Sequence, residues 1–128
     1  MLDPKIIAQH YIIAALWADA PEGTNPRAPR ETEEKALQLA RDFLRAIGPK
    51  YQEYLENNTE YFKHSNFPGG RAEAAIGHDL WLTSQGHGAG FWDRLELREH
   101  VREFLTGLAR RKEFTLHPEF HRGWMYLH

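Results

Sequence analysis

The chain has 128 residues, a formal net charge of −2 with histidine neutral, 41% hydrophobic and 27% charged residues, and no cysteine. The length fits one folded domain spanning 1–128 with a core of ordinary size. The 16 basic residues set against 18 acidic ones lack the excess a generic nucleic-acid binder needs, and without cysteine there is no disulfide, thiolate metal site or thiol nucleophile.

Asp3-Pro4 reads as a helix N-cap with proline at the first helical position. A helix is expected from Pro4 to about Ala18, with apolar residues over most of its circumference, so that it is buried on several sides. Its apolar stretch from Ile6 to Ala18 is broken by Gln9 and His10, too short to span a membrane, and without the pattern of a secretory signal. No membrane partner is therefore expected, and the lack of cysteine is consistent with the expected cytoplasmic setting. Asp19 to Arg30 holds three prolines, one glycine and one asparagine and reads as a loop.

Helical spacing returns from Glu31, with Leu37, Ala40, Phe43, Leu44 and Ile47 on one stripe. Gly48-Pro49 should break it before Tyr51, Tyr54, Leu55 and Phe62 resume the phase. His64 to Arg71 reads as a loop, and Ala72 to Ile76 as a short helical turn. A further helix is expected from Glu96 to Arg111, then two short strands around Phe114–Leu116 and Trp124–Tyr126, joined by Pro118 to Gly123.

Gly77 to Arg94 carries two of the four tryptophans and a glycine cluster. Two alternating segments flank Gln85-Gly86, which predicts a β-hairpin pairing 79–83 with 89–93. That register places Leu80, Leu82, Ala89 and Phe91 on a core face. Asp79, Trp81, Thr83, Gly88, Gly90, Trp92 and Arg94 take the other face, with Trp81 covering the two glycines and His78 opposite Asp93. The expected class is α+β: N-terminal helices packed with a small antiparallel sheet built on the 79–93 hairpin plus short C-terminal strands. The second face is either covered by the first helix or open as a contact surface. In the open case Asp79, Trp81, Thr83, Trp92 and Arg94, with His87 in the turn, form the binding set.

Chemistry is less marked. A His78–Asp93 pair could orient a general base, but it could equally satisfy two polar groups at the end of a core face. Gly86-His87-Gly88-Ala89-Gly90 lacks the following helix and the Lys-Ser/Thr of a phosphate loop. His117 and His121 are four apart across Pro118, in a turn rather than a helix, so no metal is expected. Ser65 and Ser84, the only serines, lie in no nucleophile-elbow pattern. No catalytic residue and no cofactor is assigned.

Tyr11 to Trp17 and, above all, Ala75 to Arg94 resemble a family of small proteins of bacteriophages and prophages. Relatives read Gly-His-Asp-Phe/Leu-Trp-Leu-Thr-Arg-Asn-Gly-His-Gly-Ala-Gly-Phe-Trp-Asp-Arg, and this chain has Ser84-Gln85 in place of Arg-Asn. The change removes the better hairpin turn and an arginine suited to phosphate or carboxylate. Glu113 to His128 has no counterpart in the resemblance. The likeness implies a phage setting inside a host cell and brings no chemistry with it. The expected function is that of a phage-type accessory protein binding a host or phage macromolecule, a protein before a nucleic acid. A hydrolase using His78, Asp93 and His87 is the alternative, and single-stranded nucleic-acid binding through Trp81 and Trp92 the third reading.

Overall fold

The structure is a computed structural model that describes residues 1–63 and 70–128. It is α+β, with helices α1 (Pro4–Asp19), α2 (Arg30–Asn57), α3 (Thr59–Phe62), α4 (Ala72–Ser84) and α5 (Glu99–Ala109) and one ribbon, β1 (Pro118–His121) and β2 (Trp124–Leu127). The loop expected from His64 falls largely outside the described residues. No helix among them is long and apolar enough to cross a membrane.

The first helix starts as its sequence dictates. Asp3 accepts a hydrogen bond from the Lys5 N–H at 2.9 Å, and Pro4 occupies the first turn. In α2 the stripe Ala36, Leu39, Ala40, Phe43, Leu44 and Ile47 is buried, and the polar residues around it are mostly exposed. The break comes at Gly48, whose φ of 81° lies outside helical space, just before Pro49. Gln52 Nε2 bridges the break by donating to the Leu44 carbonyl at 2.9 Å.

The expected hairpin is absent. Residues 72–84 form α4, and 91–93 form one turn of 3₁₀ helix. Asp79 to Thr83 therefore pair with no strand, and the Leu80/Trp81 alternation across two sheet faces does not exist. Gln85-Gly86 ends the helix. Gly86, at φ 72°, donates to the Thr83 carbonyl at 3.2 Å, and His87 donates to Leu82 at 3.0 Å. That paired bonding is a Schellman cap, which needs the same left-handed glycine as a hairpin turn.

Helix α4 is the buried centre of the fold. Of its thirteen residues only His78 is not buried. It packs most extensively on α1. Gly77 makes that approach feasible, since a Cβ there would overlap the Ile7 carbonyl and crowd the Tyr11 N–H. Trp81 meets Tyr11 edge to face at 5.1 Å, and Phe43 stacks on Phe91 at 6.1 Å.

The C-terminal ribbon is antiparallel, but its first strand runs 118–121, so the turn is Arg122-Gly123 rather than Pro118 to Gly123. Phe114, expected to begin a strand with Leu116, closes a 3₁₀ turn over Lys112–Phe114 instead. The Pro-rich loop is ordered against the ribbon, with Arg27 N–H on the Gly123 carbonyl at 2.9 Å and Met125 N–H on the Arg27 carbonyl at 2.8 Å. The buried Thr32 hydroxyl fastens α2 there by donating to the Met125 carbonyl at 2.7 Å.

Candidate functional site

Two carboxylates hold the loop that follows α4. The first, Asp79, is fully buried on α4. It accepts the Tyr61 hydroxyl at 2.9 Å, Arg94 Nε at 3.0 and 3.1 Å to its two oxygens, and Arg94 Nη2 at 2.6 Å. Burial pushes its carboxyl up from the usual range, and the Arg94 and Tyr61 donors oppose that. The Arg94 guanidinium is held protonated by the same carboxylate against the effect of its own burial, and burial raises the Tyr61 hydroxyl well above its ordinary value.

The second carboxylate, Asp19, ends α1. Its Oδ2 accepts the Trp81 indole N–H at 2.6 Å and meets His87 Nε2 at 3.0 Å. Between the two clasps Thr83 Oγ1 accepts the Phe91 N–H at 3.0 Å. Gly90, at φ 154°, lies so close that a Cβ would strike that hydroxyl. Asp93 accepts the Gly90 N–H at 3.1 Å and closes the 3₁₀ turn.

Residues 86–94 are thereby pressed against α1 and α4, leaving a groove of about 980 Å³. Its apolar wall includes Ile13 and Ala14 of α1, Leu82 of α4 and Ala89 of the loop after α4, and its polar side chains are His10, His78, His87 and Arg94. Trp17 stands on the rim, 74% exposed, its ring 5.7 Å from that of His78. Burial, together with Arg71, lowers the pKa of His10, partly offset by Glu73. Burial, with Arg94 and His10, lowers that of His78.

The predicted binding set does not form one face. Asp79, Trp81 and Thr83 are buried and hold the fold together. Trp81 is covered by α1, the closed alternative of the sequence reading, and Gly88 and Gly90 do not lie under it in a sheet. Trp92 is 43% exposed but does not line the groove, whereas His87 and Arg94 do. His78 and Asp93 are not partners: Asp93 serves Gly90, and His78 meets Trp17.

The residues that sequence reasoning missed are His10, Trp17 and Asp19 on α1 and Tyr61 on α3. His10, Ile13 and Trp17 are spaced for one helical face, which was the available signal. Asp19 and Tyr61 carried none.

Chemically, His87 with Asp19 has the form of a base with its orienting carboxylate. Among the described residues lining the groove there is no serine, threonine or lysine to act as nucleophile, so such a base would have to act on water. Ser84 is buried and donates to the Trp81 carbonyl at 2.9 Å. No group of three metal-ligating side chains occurs among the described residues. Comparison with known protein families, curated proteins and solved structures finds no match for this chain.

Proposed function

We propose that this chain is a phage-type accessory protein that works in the host cytoplasm by binding a host or phage macromolecule, a protein, through the groove between α1 and α4. The observation that carries the reading is Trp17. It stands 74% exposed on the rim of a groove whose other walls are held by the Asp79 and Asp19 carboxylate contacts. A large aromatic side chain beside an apolar hollow is the usual form of an interaction hot spot. The likeness of Ala75 to Arg94 to the phage family supports the setting, since His78, His87, Gly88, Ala89 and Arg94 from that segment line the same groove.

The test is capture from host lysate by tagged chain, run beside Trp17→Ala. Because Trp17 is exposed, the variant should melt like the parent while its affinity for the specific captured protein falls by about thirtyfold or more, the equivalent of a hot-spot loss. Equal capture by both proteins would remove the groove from consideration.

The hydrolase alternative is favoured by one contact, His87 to Asp19, because that pair opens on the groove. It would be upheld by a hydrolytic activity of the purified chain that vanishes in His87→Ala and survives Trp17→Ala.

A further inference from the structure

The groove has a one-sided polar inventory. Three imidazoles and a guanidinium line it, and no aspartate or glutamate does so among the described residues. Four carboxylates beside its lining residues are already engaged, Asp93 among them through the Gly90 N–H at 3.1 Å. Asp79 is held by Tyr61 and Arg94, and Asp19 by Trp81 and His87. Glu73 accepts the Asp3 N–H at 3.1 Å and meets Arg71 at 3.5 Å. The glycine loop adds further donors. The main-chain N–H groups of Gly88 and Ala89 have no hydrogen-bond acceptor among the described residues, and both residues line the groove. A Cβ at Gly88 would meet nothing, so the approach to that backbone is open.

We infer that the groove receives an acidic peptide segment of the partner, with a carboxylate against the Gly88 and Ala89 N–H groups and near the His10 and His78 rings, and a neighbouring large apolar side chain against Trp17 and the aliphatic wall. This rests on the groove being the docking site and names the chemistry of what docks. A peptide is favoured over a nucleic-acid strand for two reasons. The wall of Ile13, Ala14, Leu82 and Ala89 offers nothing to a base edge, and a single tryptophan lining the groove, on a chain of net charge −2, does not make a stacking and phosphate track.

The inference carries a proton signature. His10 faces Arg71 and Glu73, and His78 faces Arg94, His10 and Trp17. Burial and neighbouring cations disfavour the protonated form of both rings. A carboxylate arriving beside them reverses part of that, so the complex binds more protons than the free chain. Affinity then rises as pH falls, by up to about tenfold per pH unit for each proton taken up.

The experiment is an amide NMR titration of the full chain with acetyl-Glu-Phe-Glu-Leu-amide, its glutamine counterpart acetyl-Gln-Phe-Gln-Leu-amide, and a short 5′-phosphorylated oligothymidylate. The acidic peptide should shift the Gly88 and Ala89 amides and the Trp17 indole saturably, at least about tenfold more tightly than the glutamine peptide, as expected for lost charge-assisted bonds. His10→Gln should flatten the rise of affinity with acid while leaving the melt near the parent's. Gly88→Ala, which keeps the N–H, should bind like the parent, and Gly88→Pro, which removes it, should not. The inference is overturned if the two peptides bind equally, if no saturable shift appears at Gly88 and Ala89, or if the oligothymidylate binds more tightly than the acidic peptide. Should Trp17-dependent capture succeed while the acidic peptide fails, the partner chemistry is wrong and the docking site stands. Should both fail, the docking site falls as well.

Discussion

The two carboxylate clasps on either side of the glycine loop differ in burial, and that difference divides scaffold from site. At Asp79–Arg94 the carboxylate is fully buried and the arginine side chain 16% exposed. At Asp19–His87 both side chains reach solvent, at 25% and 32%. A buried ion pair holds one geometry, because losing either partner strands a charge. A pair touching water is free to exchange partners at lower cost. The first clasp therefore fixes the return of the chain onto α4, and the second sets the mouth of the groove.

The comparison is broken most directly at the buried clasp. Arg94→Ala leaves the Asp79 carboxylate buried with only the Tyr61 hydroxyl and should cost about 3–5 kcal/mol in urea unfolding. A cost below about 1 kcal/mol would show that Asp79 is not held as a charged partner. Trp81→Ala belongs in the same range, about 3–5 kcal/mol, because it empties a fully buried site and removes the donor to Asp19. Gly77→Ala should follow at about 1–3 kcal/mol, because the added methyl overlaps α1 backbone rather than a movable side-chain tip. A neutral Gly77→Ala would mean that α1 and α4 separate easily, and the groove between them could not be rigid.

The exposed clasp should give smaller and more specific effects. Asp19→Ala leaves the Trp81 indole N–H without its acceptor and should cost about 1–3 kcal/mol in thermal or urea melts. Asp19→Asn should cost less, since Trp81 and His87 both address one oxygen, which an amide can still present. If Asp19→Asn proved as damaging as Arg94→Ala, the two clasps would be equivalent and the division above would fail.

How far the sequence revealed this arrangement differs from helix to helix for physical reasons. In α2 Ala40, Phe43, Leu44 and Ile47 stand against charged neighbours, and Gly48-Pro49 announces its own break, so both were readable, while the stripe took in half-buried Leu37 in place of buried Leu39. In α1 Asp3-Pro4 marked the start. Helix α4 has no polar face except His78, so burial on all sides erased the 3.6-residue period, and Leu80-Trp81-Leu82-Thr83 read as alternation. Gly86 compounded the error, because a left-handed glycine serves a Schellman cap and a hairpin turn alike. The candidate site was half legible. His87 and Arg94 were singled out within one motif, whereas Asp19 lies 68 positions from His87 and Tyr61 18 from Asp79, pairs made only by the fold.

Acid should affect the free chain and its complex in opposite senses. His10 and His78 have lowered pKa values in the folded chain, so below the unfolded value of about 6.5 the unfolded chain binds more protons. Stability is therefore fully present above that value and is lost as pH falls through it toward the folded values. Melting followed from about pH 7 to about pH 5 should show a decline that is smaller in a His10→Gln, His78→Gln double variant. A melt that sharpens or rises over that range would mean that these rings are not resisting protonation.

The smallest expected effect separates two of the exposed tryptophans, Trp17 and Trp92. Trp92 is 43% exposed on the 3₁₀ turn, away from the groove, while Trp17 is 74% exposed on its rim. Neither should change folding by more than about 0.5 kcal/mol when cut to alanine, the usual range for surface changes away from core or caps. They should differ in binding: Trp17→Ala should lose about 2 kcal/mol or more toward the captured partner, and Trp92→Ala should lose close to none. Calorimetry of both variants against that partner, beside their melts, makes the comparison. If Trp92→Ala weakens binding as much as Trp17→Ala, the contact surface wraps from the groove around the turn that Arg94 anchors. The buried clasp would then orient the partner as well as hold the fold, and the division between the two clasps would have to be redrawn.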